Sequence, residues 1–337
     1  MRMRLQNGTL ATTDSKNASI LAPHFEHIYR LDRPITWEAL NDIPTRNTVE
    51  GINESIKWEE LKFAVRKLAN GKSPGLNDVP PDAFKALSNQ NIDILHTFFN
   101  AYWRGETDFT EWHEGRVVPV PKSVDFYDPN KWRGVTLMDM GSKIFSSILC
   151  TRLFKMIDKH GVKYQFGSTP GVGCQYGSFT IKTMLHLRRN HNLPAWVLFS
   201  DLFKVFDTSN HALIDKLLGK YGCPMALRSA IAIIYKDTRV RLIIGKIDTT
   251  IPFYVGVKQG DSMAPVLFLF KIMGFAEILE GEWTINGLIP LQFRRHNHSP
   301  LSNESIISHR RHTFSEGTLF DMFCMLYVDD GAFAFPI

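Results

Sequence analysis

Two strongly apolar stretches of strand length run directly into aspartates, and they constrain the fold more than any other feature of the sequence. The first, AWVLFS at 195–200, stops at Asp201, and the second, MLYVDDGAFAF, carries Asp329 and Asp330 between two apolar runs. A buried strand tolerates a carboxylate poorly unless the carboxylate is paired or binds a metal. If the two strands pair side by side, Asp201 and Asp329 come together although they lie far apart in the chain.

Converging carboxylates of this kind suit in-line phosphoryl transfer. Two hard cations held by shared carboxylates activate an attacking hydroxyl and stabilise the leaving oxygen. Mg²⁺ fits such a site because it takes few protein ligands and completes its octahedron with water and phosphate oxygens. Each aspartate motif taken alone is also typical of an ordinary turn or helix cap, so neither decides the function by itself.

A third motif, GVKQGDSMAPVLF at 256–268, lies between the two aspartate motifs. Gly256 and Gly260 bracket Lys258 and Gln259, and an apolar helix follows directly. Glycine allows a backbone to approach a flat base or sugar closely, and the Gln259 amide can offer hydrogen bonds. An ordinary strand–turn–helix junction has the same pattern.

Composition is that of a folded globular protein, with 44% hydrophobic and 22% charged residues in a chain of 337. The net charge of +5 is compatible with a polyanionic partner but does not establish one. No apolar run is long enough to predict a membrane span. The four cysteines form no CxxC pair and are interpreted as reduced core thiols of an intracellular protein.

Local patterns predict an α+β fold with segregated helices and strands. Residues 1–50 lack clear periodicity, contain three prolines and are predicted to form an extended lead-in. Apolar spacing predicts helices at 57–69, 93–104, 142–157, 211–235 and 262–280. Strand-like runs lie at 116–122, 195–200, 238–256 and in the closing segment MFCMLYVDDGAFAF.

Six blocks resemble, in the same order, those of reverse transcriptases from non-LTR retrotransposons. SDLFKVFDTSNH, GVKQGDSMAPVLF and YVDD are similar to the A, B and C motifs of that family. The upstream blocks are NGKSPGLNDVPPDAF, then VPVPK with KWRGVTLMDMGSKIFSSILCTRL, then HGVKYQFGSTPGVGC. Because the match is colinear from about Trp58 to Phe335, the chain is identified as a member of the family.

The resemblance implies a right-hand polymerase fold with fingers at 51–190 and a palm at 191–337. The sequence ends shortly after the C-like motif, so we expect the thumb to be absent. It implies an RNA-directed DNA polymerase that adds deoxynucleotides from dNTPs to a primer 3′-hydroxyl. The implied partners are an RNA template and a DNA primer, with two Mg²⁺ ions as cofactors and Mn²⁺ as an alternative. The family also leads us to expect a nuclear and cytoplasmic location and no membrane partner.

The same resemblance assigns roles at the aspartate motifs. Asp201 and Asp329 match the carboxylates that hold the metals directly, Asp330 matches a less direct partner, and the backbone carbonyl of Leu202 is implied as a further ligand. Phe206 stands where the family places a bulky aromatic ring that clashes with a ribonucleotide 2′-hydroxyl.

Basic and polar residues complete the implied site. Lys122 and Arg133 match the fingers block that clamps the triphosphate, and charge-assisted contacts to phosphate are the physical reason. An ordinary solvated surface cation remains the alternative for Lys122. Further expected contacts are to the nucleotide, from Gln259 and Gly260, and to nucleic acid, from Lys72, Arg152, Lys258 and Tyr327.

Two other functions stay open on the sequence. One is a catalytically inactive, truncated element copy that at most binds nucleic acid, and the end of the sequence shortly after Asp330 leads us to expect little processive extension. The other is an RNA-dependent RNA polymerase. It is disfavoured because such enzymes tend to have an aspartate at the position of Phe206, whereas here the aspartate is one residue later, at Asp207, and because YVDD stands in place of GDD.

A histidine-rich basic stretch at 294–312 invites a zinc interpretation. Its spacing fits no standard ligand set and no cysteine is near, so a solvated basic loop touching nucleic acid is favoured. Its histidines are His296, His298, His309 and His312.

Overall fold

Helices and strands alternate irregularly along the chain in this computed structural model, which describes residues 2–5, 8–122, 126–161, 164–169, 171–202, 204–288, 290–295, 318–322 and 324–336. The helices are α1 (Asp14–Tyr29), α2 (Trp58–Lys67), α3 (Pro81–Lys85), α4 (Asn89–Trp103), α5 (Met140–His160), α6 (Cys174–Asn190), α7 (His211–Lys220), α8 (Met225–Tyr235) and α9 (Ala264–Ile285). The strands are β1 (Glu114–Pro121), β2 (Trp132–Met138), β3 (Ala195–Asp201), β4 (Arg239–Ile244), β5 (Ile247–Pro252), β6 (Leu291–Arg295), β7 (Thr318–Met322), β8 (Cys324–Tyr327) and β9 (Asp330–Pro336).

Two compact units divide the chain, and each is built from two segments. The first unit comprises Met1–Val162 and Lys204–Phe275, and the second comprises Lys163–Phe203 and Ala276–Ile337. The predicted boundaries after residues 50 and 190 coincide with neither unit. Contacts between distant segments decide compactness, whereas the predicted boundaries followed the linear order of the motifs.

The first unit is organised around a four-stranded sheet in the order β2-β1-β4-β5. β1 runs antiparallel to β2 and parallel to β4, and β4 runs antiparallel to β5. Helix α1 packs on β4 and β5. Apolar side chains of α1, of the sheet and of the residue after β5 form one core, which includes Leu21, Phe25, Tyr29, Val240 and Phe253.

Helix α1 overturns the prediction of an extended lead-in at 1–50. The Thr13 side chain caps the helix by accepting the backbone N–H of Lys16, as N-cap residues commonly do. Leu21, Phe25 and Tyr29 follow at helical spacing and are at most 2% exposed. The interior proline, Pro23, made the segment look irregular, since proline normally interrupts a helix.

The segment at 211–235, predicted as one helix, forms two. Gly222 lies between them at φ +80, and a Cβ there would come 2.3 Å from the Asn47 carbonyl oxygen. Pro224 is the N-cap of α8, and a residue before proline is disfavoured in the helical region. The remaining predicted helices and strands exist, with ends shifted by a few residues.

The second unit contains a three-stranded antiparallel sheet in the order β3-β9-β8 and a two-stranded sheet of β6 and β7. Helix α6, for which no helix was predicted, packs on β8. The core of this unit joins Met184 of α6 to Leu291, Met325 and Ala334. No helix in the described part of the chain is both long and apolar enough to cross a membrane.

Strand β3 is less buried than its apolar sequence suggests. It occupies an edge of its sheet, where a strand has a neighbour on one side only. Trp196, Leu198 and Phe199 are 67%, 60% and 73% exposed. The expectation of a buried strand is therefore wrong for β3 and correct for β8 and β9, whose described apolar residues are mostly buried.

Candidate active site

The pairing of β3 with β9 brings the two aspartate motifs together. Asp201 lies directly opposite Asp330 in the antiparallel register, and residues so paired have Cα atoms about 4.5–5.5 Å apart. The backbone N–H of Leu202 donates to the carbonyl of Asp329 at 3.0 Å. The convergence predicted from the sequence is thus present in the backbone, at one end of the sheet.

Negative charge accumulates where these three aspartates meet. The pKa of the Asp330 carboxyl is raised above its ordinary value, first by partial burial and then by the charges of Asp329 and Asp201. Asp201 and Asp330 are exposed and Asp329 is half-buried, so a cation from solvent can reach them. Like charges held together in this way favour a bound cation.

A complete protein cage for a metal is not formed here. Within the described ranges, no group of three or more His, Cys, Asp or Glu side chains is arranged to hold an ion. Mg²⁺ does not require such a cage, because it is commonly bound by one or two carboxylates together with water and substrate phosphates. The aspartate cluster therefore fits Mg²⁺ as a partial ligand set, whereas the Leu202 carbonyl remains a predicted ligand.

Beside the aspartates lies a cavity of about 210 Å³ in the second unit. Its walls are mainly apolar and come from α6, β3, β8 and β9, and Asp330 contributes a carboxylate to them. Tyr327, at the end of β8, lines the cavity and is 40% exposed. The contact of this tyrosine with nucleic acid stays a prediction.

In the first unit, Asp207 is surrounded by residues predicted to bind the nucleotide. Its pKa is raised by burial, while a hydrogen bond from Gln259 Nε2 at 2.7 Å and the charges of Lys122, Lys204 and Arg133 oppose the rise. Lys204 was not singled out from the sequence, although it stands in the A-like motif. The structure thus gathers three cations and one amide around a single carboxylate.

The aromatic residue predicted as the sugar gate, Phe206, is half-buried and packs on α9 at the last residue of the B-like motif. The rings of Phe206 and Phe268 have their centroids 4.8 Å apart. The Phe206 carbonyl accepts the backbone N–H of Val257 at 2.7 Å, and the Ser209 carbonyl accepts that of Gly256 at 2.8 Å. The A-like and B-like segments of this unit are therefore joined by backbone hydrogen bonds.

Both glycines of the B-like motif are required by contacts within the protein. Gly256 (φ +98) would place a Cβ 2.6 Å from the Asp207 carbonyl oxygen, and Gly260 (φ +117) would place one 2.5 Å from the Thr136 carbonyl oxygen. The glycines are therefore required by a close approach to protein backbone, and the close approach to a base or sugar stays a prediction.

Comparison with known proteins identifies the family of the chain. A family model described as reverse transcriptase (RNA-dependent DNA polymerase) matches residues 120–336. The chain belongs to the reverse transcriptase family. It therefore has the polymerase fold of that family, here as a mixed arrangement of helices and sheets.

Relatives of this reverse transcriptase domain include proteins of retrotransposable elements and transposons. It is 27% identical over 216 residues to the Pol polyprotein of the type-1 retrotransposable element R2 of Popillia japonica, covering 63% of this chain and 29% of the relative. It is 24% identical over 285 residues to a probable RNA-directed DNA polymerase from transposon BS of Drosophila melanogaster, covering 79% and 30%. The chain thus spans less than a third of the length of these relatives, and the domain is of the non-LTR retrotransposon type.

Two predicted nucleic-acid contacts of the reverse transcriptase domain are wrong. Arg152 is 1% exposed, forms a 2.7 Å ion pair with Glu60 and donates to carbonyl groups of the 52–55 segment. Lys258 is fully buried, donates to the Ile234 carbonyl at 3.3 Å and has its pKa lowered to about 8 by burial. Because their charged groups are enclosed and engaged by protein, neither can contact a template.

The other predictions have mixed outcomes. Lys72 lies on the surface, and its contact with nucleic acid stays a prediction. Cys223 and Cys324 are buried and form no disulfide, as expected, but Cys150 is half-buried and Cys174 is exposed, so the core assignment is wrong for Cys174. The histidines at 296, 298, 309 and 312 lie outside the described residues.

Proposed function

We propose that this chain supplies the nucleotidyl-transfer part of an RNA-directed DNA polymerase of a non-LTR retrotransposon. It adds deoxynucleotides from dNTPs to a primer 3′-hydroxyl opposite an RNA template. The observation that carries the proposal is the pairing of β3 with β9, which sets Asp201 opposite Asp330. The Asp329 carbonyl accepts a hydrogen bond from the backbone N–H of Leu202 in the same place. Family membership supplies the reaction class, and the aspartates supply the chemistry.

The aspartates are the residues that would hold two Mg²⁺ ions, with Asp201 and Asp329 as direct ligands and Asp330 as a supporting charge. When bound, the ions would favour loss of the proton from the attacking 3′-hydroxyl and stabilise the charge on the leaving pyrophosphate. Lys122 and Arg133 bind the triphosphate by charge-assisted hydrogen bonds. Phe206 excludes the 2′-hydroxyl and so selects deoxynucleotides.

The proposal assigns subdomains of the right-hand polymerase fold as well. The strands β3, β8 and β9 belong to the palm, because they bear the aspartates. The helix-rich segment from α2 to α5 belongs to the fingers, because it contains the blocks that resemble the family's fingers motifs. Lys72 and Tyr327 are proposed to contact the template–primer duplex.

Primer extension on an RNA template with Mg²⁺ and dNTPs tests the proposal. We expect short extensions by the chain, and a loss on the order of 10³-fold in kcat for Asp201→Asn and Asp329→Asn, since charge stabilisation of the transition state is removed. Asp158→Asn, at an exposed aspartate of α5, is the matched control and should extend normally.

Three other outcomes would contradict the proposal or part of it. Tight binding of the primer–template with no extension by the unaltered chain would establish the catalytically inactive alternative. Preferred incorporation of ribonucleotides would indicate an RNA-dependent RNA polymerase. Undiminished extension by Asp329→Asn would remove the aspartate turn from the chemistry.

A further inference from the structure

The turn between β8 and β9, called here the aspartate turn (Val328 and Asp329), has an unfavourable backbone conformation. Val328 has φ +56, in the left-handed region. A β-branched residue is a rare outlier there, because its side chain crowds the backbone. Such conformations persist only where the surrounding structure fixes them, and they concentrate at functional sites.

The side chain that fixes this turn is Gln165, which is 3% exposed. Its Oε1 accepts the backbone N–H of Val328 at 3.0 Å, and its Nε2 donates to the Val328 carbonyl at 3.4 Å. One carboxamide thus satisfies both polar backbone groups of the strained residue. Only a side chain with a donor and an acceptor at this spacing can do so.

The surrounding backbone holds Gln165 in place. Its Oε1 also accepts the N–H of Gly167 at 2.7 Å. On either side of it, the Phe166 N–H donates to the Leu326 carbonyl and the Leu326 N–H donates to the Tyr164 carbonyl, both at 2.8 Å. The 164–167 segment is therefore attached to β8 directly before the aspartate turn.

Close contact at Gly167 completes the clamp. A Cβ added there would lie 2.6 Å from both the backbone nitrogen and the Cγ2 atom of Val328. The segment therefore lies directly on the turn and leaves no room for a side chain at this position.

We propose that Gln165 is a positioning residue that locks the aspartate turn and thereby fixes the orientation of Asp329 toward its reaction partners. It touches no substrate in this role and acts only through Val328. The role rests on the proposed polymerase activity for its functional consequence, whereas the clamp itself is a property of the fold.

Gln165→Leu removes both hydrogen bonds to Val328 and the one to Gly167 at similar side-chain volume, and two measurements report its effect. Hydrogen–deuterium exchange of the 324–332 segment should rise at the Val328 amide by about tenfold or more, because the amide loses its protecting partner. In primer extension, kcat should fall by about 10- to 100-fold with little change in the KM for dNTP, since misplacement of a reacting group by about 1 Å has a cost of this order.

Val328→Gly is the diagnostic second change. Glycine adopts positive φ without strain, so the turn should keep its conformation when the clamp is removed. We expect the Gln165→Leu, Val328→Gly double variant to recover much of the kcat that Gln165→Leu loses. Gln175→Leu, at an exposed glutamine of α6, is the matched control and should change neither readout.

The outcomes separate the clamp from the proposed function. Unchanged exchange at the turn and unchanged kcat in Gln165→Leu would overturn the positioning role. Raised exchange across the whole second unit, without recovery by Val328→Gly, would show a general stabilising role and also overturn it. If the unaltered chain does not extend a primer, the proposed function fails, and the exchange at Val328 still decides whether Gln165 clamps the turn.

Discussion

At the residue scale, the buried arginine of α5 shows how a cation in a nucleic-acid-binding family can act on stability alone. Arg152 Nη2 and Nε meet the Glu60 carboxylate at 2.7 and 3.0 Å, and Nη1 donates to the Glu54 carbonyl at 2.6 Å. The guanidinium also lies 4.7 Å from the ring centroid of Trp103. These interactions occupy the planar donor face that would otherwise bind phosphate.

We therefore expect Arg152→Met to lower the free energy of unfolding by about 3–5 kcal/mol, because it leaves a partly buried carboxylate and several carbonyls without their partner. Urea denaturation measures this change. The exposed Arg66 of α2 offers a matched control, since Arg66→Met should stay within about 0.5 kcal/mol. A stable Arg152→Met protein with weakened RNA binding would instead support the original prediction of a template contact.

Selection of the sugar is also a residue-scale property. Phe206→Ala should raise incorporation of ribonucleotides relative to deoxynucleotides, because the ring proposed to exclude the 2′-hydroxyl is removed. Competition of each dNTP with its ribonucleotide in primer extension gives the ratio. Tyr254→Ala, at a 61% exposed aromatic of the same unit, is the control. If discrimination is unchanged in Phe206→Ala, the gate lies at another residue.

At the element scale, α1 is an integral part of the first unit's core. Phe25 is 1% exposed and its ring lies 6.0 Å from that of Tyr29, which in turn lies 4.6 Å from that of Phe253. The helix thus joins the core through a chain of rings that reaches the segment after β5. Most helical stability in proteins comes from such packing rather than from propensity.

Phe25→Ala should therefore destabilise the first unit by about 3–5 kcal/mol, through lost burial and a cavity under the sheet. The control is Phe63→Ala on α2, where the ring is 51% exposed and truncation should cost far less. Both values come from chemical denaturation. Equal small effects would mean that α1 is dispensable, as an extended lead-in would be.

At the scale of the whole molecule, Lys258 makes stability depend on alkaline pH. Burial lowers its pKa from the ordinary 10.5 to about 8 in the folded protein. Below about pH 8 the lysine is charged in both states, and the fold bears the cost of burying the charge. Between about pH 8 and 10.5 the folded state releases the proton while the unfolded chain keeps it, so the free energy of unfolding rises with pH.

Relative to Lys258→Met, the unaltered protein should gain on the order of 2–3 kcal/mol of stability across this window, since one pKa unit corresponds to about 1.4 kcal/mol. Urea denaturation at several pH values between 7.5 and 10.5 measures the difference. Lys246→Met, in the exposed turn between β4 and β5, should show no such gain. If the free energy of unfolding of the unaltered protein and of Lys258→Met changes with pH in the same way, the Lys258 amine does not have a lowered pKa in the folded protein.

The sequence by itself determined the aspartate turn with its flanking strands, the order of the motifs and the family. These depend on short patterns: a strand-length apolar run before Asp201, and a second run interrupted by Asp329 and Asp330. The spacing of apolar residues along a strand or a helix is a local property of the sequence. Most helices and strands were therefore also predicted. Family motifs added the reaction class, which local patterns alone did not give.

Only the tertiary structure decided which of these residues are free to act. Arg152 and Glu60 are 92 residues apart, and Gln165 and Val328 are 163 apart, so no local pattern reports their pairing. The same holds for Gly256 and Gly260, where the approaching group is the protein's own backbone. Burial is a property of the folded chain. It shows that two residues predicted to contact nucleic acid lie in the core, whereas β3 is exposed at a sheet edge.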